Sequence, residues 1–261
     1  DTLIQSEDGS KLNQTQYTQP AILLTSFAIW SVLNSKINCH VELMAGHSLG
    51  EYTALVAAEA LAFEDALKLV RFRAQVMQQA VPEGVGAMAA ILGLDDHVIE
   101  NICTEITINS DNKSLEPANF NSPGQVVISG HQNAVSQGIN LAKEKGAKRA
   151  VMLPMSIPSH CALMRPAAQE MQKQLEQTTL QTPNIPVLHN VDAKHHDDVS
   201  AIKGILAKQL YSPVRWVDTI RTLAAANVTH IAECGPGKVL AGLNKRIDRN
   251  LQSVSLTDNE T

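Results

Sequence analysis

Residues 44–55 read MAGHSLGEYTAL, with Ser48 placed between Gly46 and Gly50. An apolar run, VELMA at 41–45, precedes the serine, and a helix-like stretch at 49–58 follows it. Strand, glycine-bounded serine and helix is the order a nucleophile elbow requires. A serine hydroxyl is a weak nucleophile until a base takes its proton. At an elbow its Oγ stands above the end of the sheet. A helix starting at Leu49 directs free N–H groups and the positive end of its dipole to the same place. The Leu49 N–H is then a donor for an oxyanion. The same residues also describe a glycine-rich turn with a capping serine, so the motif alone leaves both readings open.

The chemistry needs a base, and the chain offers nine histidines. His160, in SIPSHCALM, stands just ahead of an expected helix at 161–177. Positive potential at a helix N-terminus disfavours imidazolium, and a neutral ring is what a general base needs. A polar cap of that helix is the competing reading. His195 and His196 fall in the polar DAKHHDD loop, and His230 enters a strand as an expected core histidine.

Arg73 speaks to the substrate. At 3.6 residues per turn, Phe63, Ala66, Leu67, Leu69, Val70, Ala74 and Met77 share one face of helix 63–80, and Arg73 falls among them. Arg71 falls on the polar side. An inward guanidinium requires an anion or several acceptors. It is either a clamp for a substrate carboxylate or the partner of an internal Asp or Glu. ECGPGKVL at 233–240 could hold a phosphate at a helix N-terminus, although a plain strand-to-helix turn is the favoured reading. Asn119, Asn121 and Ser122-Pro123-Gly124 read as hairpin chemistry.

The elements that must position these groups follow from periodicity. AILLTSFAIWSVL at 21–33 is an apolar helix introduced by Pro20. After Pro82, Gly84 and Gly86 the texture changes. Strand 86–94, helix 95–106, a hairpin over 118–130, helix 133–146 and strand 147–154 give the order βαββαβ, that of a ferredoxin-like subdomain. Alternation then resumes, with strands at 185–191 and 229–234 and helices at 161–177, 199–210, 213–226 and 238–247. The expected fold is α/β, a hydrolase-like core with a mostly parallel sheet formed by 1–82 and 155–261, carrying a ferredoxin-like insert at 83–154.

Composition removes other classes. The 261 residues carry a net charge of −5, and 3% are aromatic. Neither basic attraction to nucleic acid nor base stacking is supported. The longest apolar run is too short to span a bilayer, so no membrane association is expected. The four cysteines, Cys39, Cys103, Cys161 and Cys234, lack any close Cys or His spacing. That argues against zinc and a disulfide framework and favours the cytoplasm.

Eight stretches, in order along nearly the whole chain, carry a family resemblance: TQPAI, AGHSLGEYTALV, RFRAQVMQQAVPEGVGAMAAILGL, NFNSPGQVVISG, GAKRAVMLP, IPSHCALM, KQLYSPVRW and GPGKVLAGLNKRI. The chain resembles the malonyl-CoA:acyl carrier protein transacylases of bacterial type II fatty acid synthesis. The resemblance implies that Ser48 is acylated, that His160 is its base, and that the Gln209 backbone carbonyl orients His160. It implies that Arg73 binds the malonyl carboxylate and Leu49 donates to the oxyanion, with His47 also placed in the substrate site. Malonyl-CoA is then the substrate, and the phosphopantetheine thiol of acyl carrier protein the acceptor. No bound cofactor or metal is required, and a monomer is expected. The family's N-terminal Gly-Gln-Gly-Ser-Gln stretch, whose Gln N–H completes the oxyanion hole, has no counterpart here. The expectation is activity for a longer chain, and for these residues alone the loss of a donor worth about 3–4 kcal/mol.

Two other readings compete. An esterase would pair Ser48 with His230 and either Asp192 or Asp218, following the hydrolase chain order. A non-catalytic module would dock the carrier protein without being acylated.

Overall fold

The computed structural model describes residues 12, 14–36, 40–110, 113–154 and 157–257. Cys39 and residues 155–156 at the expected subdomain boundary lie outside them.

The chain opens on α1 (Thr15–Lys36), followed by β1 (Met44–Ala45), α2 (Gly50–Ala57) and α3 (Phe63–Gln79). Helix α1 starts earlier than the position of Pro20 suggests, and Pro20 lies inside it. Lacking an N–H, Pro20 removes one hydrogen bond of the helix ladder. Helix α2 has eight residues, too few to persist alone. It is held by burial, because Tyr52 and Leu55 are wholly enclosed. Burial of Leu55 contributes about 1.5–3 kcal/mol on the usual transfer scale.

Strand β2 (Gly86–Leu92), α4 (Asp96–Ile108), β3 (Leu115–Ser122), β4 (Gln125–His131), α5 (Gln132–Glu144) and β5 (Arg149–Met152) come next. They form a four-stranded sheet in the order β3-β4-β2-β5, with every neighbouring pair antiparallel. The β3–β4 hairpin turns where the Ser-Pro-Gly sequence places it, with Gly124 at φ +70°, the left-handed region a tight turn calls for. Ile91, Ile99, Ile102, Leu115, Ile128 and Val135 build a core for this part, distinct from the main one.

A 3-10 turn at Ala162–Met164 leads into α6 (Arg165–Gln177), followed by β6 (Val187–Leu188), α7 (Val199–Gln209) and α8 (Trp216–Ala225). The chain then forms β7 (His230–Glu233), α9 (Val239–Ile247) and β8 (Gln252–Ser255). Strand β1 pairs in parallel with β6, and β7 with β8. The fold is thus α/β with mixed sheets. Parallel pairing between strands is confined, among the described residues, to these two-stranded pieces and a single parallel bridge between Asn119 and Val214, and the largest sheet is antiparallel. β1 is shorter than 41–45 suggests, since the chain leaves it at once for the turn at Gly46. Helix α8 does not begin at Pro213. Val214 instead continues the edge of β3, donating to Ala118 O at 2.9 Å and accepting from Phe120 N at 2.9 Å. An extended residue before the helix is what that ladder demands. No helix among the described residues is long and apolar enough to cross a membrane.

Candidate active site

The elbow is built by close approach. A Cβ on Gly46 would lie 1.9 Å from the backbone carbon of Gly50, whereas one on Gly50 would meet nothing within 4 Å. Gly46→Ala is therefore expected to displace α2 and lower the melting temperature and covalent labelling of Ser48 together. Gly50→Ala is expected to leave both near wild type, and melting curves with labelling of Ser48 check the pair.

Ser48 has φ +52° and His160 φ +61°. For residues with a Cβ this costs about 1–3 kcal/mol each and persists only where surroundings over-determine it. They do so here. Ser48 N donates to Asn190 Oδ1 at 2.6 Å, and Asn190 Nδ2 donates to Gly46 O at 2.7 Å. Gln209 Nε2 donates to Ser48 O at 3.0 Å, and His160 N to Leu210 O at 2.9 Å.

The strained pair meets. Ser48 Oγ lies 2.9 Å from His160 Nε2 across 112 residues of sequence. His160 Nδ1 lies 2.8 Å from Gln209 O, and a carbonyl can only accept. The proton therefore sits on Nδ1, leaving the Nε2 lone pair facing the hydroxyl. Burial, joined by the nearby Arg73 guanidinium, pushes the His160 pKa down to about 3. Burial comes first, and the expected helix terminus is not at hand, since α6 begins at Arg165.

Arg73 is buried, as its place on the apolar stripe implies. Its Nη1 donates to Gln19 Oε1 at 2.8 Å, and its Nη2 to Gln209 Oε1 at 2.9 Å and Ser48 Oγ at 3.1 Å. The guanidinium carbon stands 5.6 Å above the Tyr52 ring. Among the described residues it has no carboxylate partner, and its Nε–H has no acceptor. The internal Asp or Glu that a purely structural arginine would want is not in contact with it. A buried cation caged by neutral acceptors keeps its charge unneutralised beside the serine.

His47 and Leu49 flank the serine. His47 Nε2 is 2.8 Å from Asn121 Oδ1, its ring is tilted against Trp216, and burial lowers its pKa. Asn121 is thus more than a hairpin residue, and it ties the antiparallel part to the elbow. The Leu49 side chain is buried, and its N–H has no hydrogen-bond acceptor among the described residues.

Other expectations change. His230 is exposed rather than in the core, and its Nδ1 contacts Thr229 Oγ1 at 2.8 Å. The esterase pairing of Ser48 with His230 therefore fails, since Ser48 is already matched to His160. The helix following ECGPGKVL has its N-terminal amides occupied. Glu233 accepts from Leu240 N at 3.2 Å and Ala241 N at 2.7 Å, so a carboxylate of this chain already takes two of the amides a phosphate would use.

Sequence reasoning did not single out Glu51, Asn190 or Gln19. Glu51 lay inside the motif itself. Asn190 follows a strand, and Gln19 lies before the apolar run, positions with no local pattern to mark them.

A hydroxyl matched to a neutral imidazole at a strained elbow is the apparatus of serine-dependent acyl chemistry. The chain belongs to the acyl transferase domain family, whose sequence profile matches residues 1–254. It is 51% identical over 257 residues to the malonyl CoA-acyl carrier protein transacylase of Haemophilus influenzae, covering 98% of this chain and 81% of that protein. It superposes with a TM-score of 0.96 and 49% identity on an acyl carrier protein S-malonyltransferase from Vibrio cholerae O1 biovar eltor, covering 99% of this chain and 84% of that one. A type II PKS acyl-carrier protein in complex with its malonyl-transacylase gives a TM-score of 0.96 at 46% identity, covering 99% of this chain and 83% of that one.

Proposed function

We propose that this protein transfers the malonyl group of malonyl-CoA to the phosphopantetheine thiol of acyl carrier protein, through an ester on Ser48. The observation that carries the reading is the meeting of three groups at one oxygen. Ser48 Oγ faces His160 Nε2 at 2.9 Å and Arg73 Nη2 at 3.1 Å. Family membership and the names of the relatives support the same activity.

In the first step Oγ attacks the thioester carbonyl carbon and His160 takes the hydroxyl proton. The C–S bond breaks, and CoA leaves with the proton returned by the imidazolium. Ser48 then carries a malonyl ester, whose free carboxylate lies two carbons from the ester carbonyl. A guanidinium already touching Oγ is placed to hold it. In the second step the carrier thiol attacks, His160 accepts its proton, and Oγ is released and reprotonated. Leu49 N–H donates to the oxyanion in both steps. Gln209 O holds the imidazole in its base-competent tautomer. His47 lines the substrate side of the elbow. The residues need no bound cofactor, and the phosphopantetheine arrives on the partner.

The same reading takes the protein as a cytoplasmic monomer, with a hydrolase-like core of residues 1–82 and 155–261 and a ferredoxin-like insert at 83–154. The separate apolar core and the strand order β3-β4-β2-β5 support the insert.

The direct test is mass measurement of the Ser48 peptide after incubation with malonyl-CoA, followed by discharge with holo acyl carrier protein. Absence of the adduct would refute the mechanism. A pH dependence follows from the depressed imidazole. With the His160 pKa at about 3 rather than 6.5, single-turnover acylation should show no inflection near 6.5. The sign for stability is also set. Unfolded His160 binds a proton below 6.5 while the folded one does not until about 3. Stability is therefore lost as pH falls through that window. Denaturant unfolding at pH 5 and 7, compared with His160→Gln, measures this contribution.

A further inference from the structure

Glu51 belongs to the elbow sequence and has no part in the steps above, yet its carboxylate is wholly buried. Three donors converge on it. His189 Nδ1 reaches Oε1 at 2.7 Å, and Asn190 N and Gln209 Nε2 reach Oε2 at 3.0 and 2.9 Å. The third matters most, because the Gln209 side chain touches both halves of the site. Its Nε2 also donates to Ser48 O at 3.0 Å, and its Oε1 accepts from Arg73 at 2.9 Å.

We infer that Glu51 is a positioning residue that sets acyl-group specificity: its carboxylate fixes which way round the Gln209 amide sits, and so holds the Arg73 guanidinium where a substrate carboxylate binds. The inference rests on the malonyl transfer proposed above.

The two ends of an amide have nearly the same shape and differ in hydrogen bonding alone. Turned over, the Gln209 NH2 would face a guanidinium that can only donate. Its oxygen would face the Ser48 carbonyl and the Glu51 carboxylate, which can only accept. A carboxylate at position 51 has no hydrogen to offer and therefore rejects the turned form. An amide at 51 could donate and would admit it. Two donors from His189 and Asn190 keep the carboxylate itself from swinging.

Charge adds a second reason. One amide separates Glu51 from Arg73, so the carboxylate favours the cationic guanidinium without contacting it. A direct ion pair would occupy the donors that a malonyl carboxylate needs. With Gln209 interposed, Glu51 supplies the countercharge from a distance and leaves the guanidinium without an ion-pair partner.

The test is Glu51→Gln, which preserves shape and burial, measured as the ratio of kcat/KM for malonyl-CoA to that for acetyl-CoA. Loss of one charge-assisted hydrogen bond at Arg73 should lower this ratio roughly tenfold or more. Most of the change should appear in KM for malonyl-CoA, because the Ser48–His160–Gln209 carbonyl line does not pass through the carboxylate. In a Gln209→Met background, Glu51→Gln should shift the ratio no further. A merely structural Glu51 would lower both substrates by one common factor, and an unchanged ratio in folded, titratable enzyme overturns the inference. So does an effect that adds in full to that of Gln209→Met. If Glu51→Gln does not fold, Gln209→Met alone decides, since retained discrimination there overturns it. Wild-type protein that never takes malonyl would instead refute the proposed function itself, whereas normal wild-type acylation with an unchanged variant ratio refutes this inference alone.

Discussion

Ser48→Ala should take up no malonyl group, and its transfer rate should fall by on the order of 10⁶, the scale seen when the nucleophile of a serine enzyme is deleted. The substitution removes Oγ and with it the contacts to His160 Nε2 and Arg73 Nη2. It leaves the backbone links that build the elbow, since Ser48 N and Ser48 O are held by Asn190 and Gln209. The variant should therefore fold and bind malonyl-CoA while its mass stays unchanged. A malonyl adduct elsewhere in the chain, or substantial residual transfer, would remove Ser48 from the mechanism.

The second large effect is expected for Arg73→Ala, in discrimination rather than in the bond-making step. A bidentate guanidinium–carboxylate contact comprises two charge-assisted hydrogen bonds of about 1.5–3 kcal/mol each, so malonyl transfer should drop about a hundredfold or more. Acetyl-CoA offers no charge to that clamp and should lose far less, so the malonyl-to-acetyl preference collapses. The variant also strips a partner from Gln19 Oε1 and Gln209 Oε1, and it opens space beneath Tyr52. Some loss of melting temperature will accompany it. Arg73→Lys separates the two effects, keeping a charge without the planar fork. Competition between the two acyl-CoAs at equal concentration gives the preference directly, and an unaltered preference would dismiss the clamp.

The reacting groups were readable because each leaves a mark in one dimension. Ser48 announces itself by its glycines, and Arg73 by breaking an apolar stripe. His160 was marked by its place just ahead of a helix, with a capping role left open beside it, whereas Gln209 emerged from the resemblance alone, and the structure brings both to Ser48. The hairpin at Pro123-Gly124 was equally legible, since turn chemistry is local. What escaped depends on contacts between distant segments. Val214 is extended because β3 offers it a ladder, so Pro213 misleads as a helix start. Asn190 matters because the elbow lies beside the end of β6, and no spacing records that. The parallel strands were overdrawn for a related reason. An apolar run shows that a segment is buried and leaves open how many of its residues find a partner strand.

The carbonyl behind the imidazole has a bearing on which acceptor the ester prefers. A peptide dipole offers less support to a developing imidazolium than a full carboxylate would, so the acidity of the acceptor itself carries more of the deacylation step. Thiols ionise near 8.5 and bulk water at 15.7, so a weak base serves the first far better than the second. In the proposed reaction, the place held by Gln209 O thus tilts the serine ester toward sulfur and away from wasteful hydrolysis.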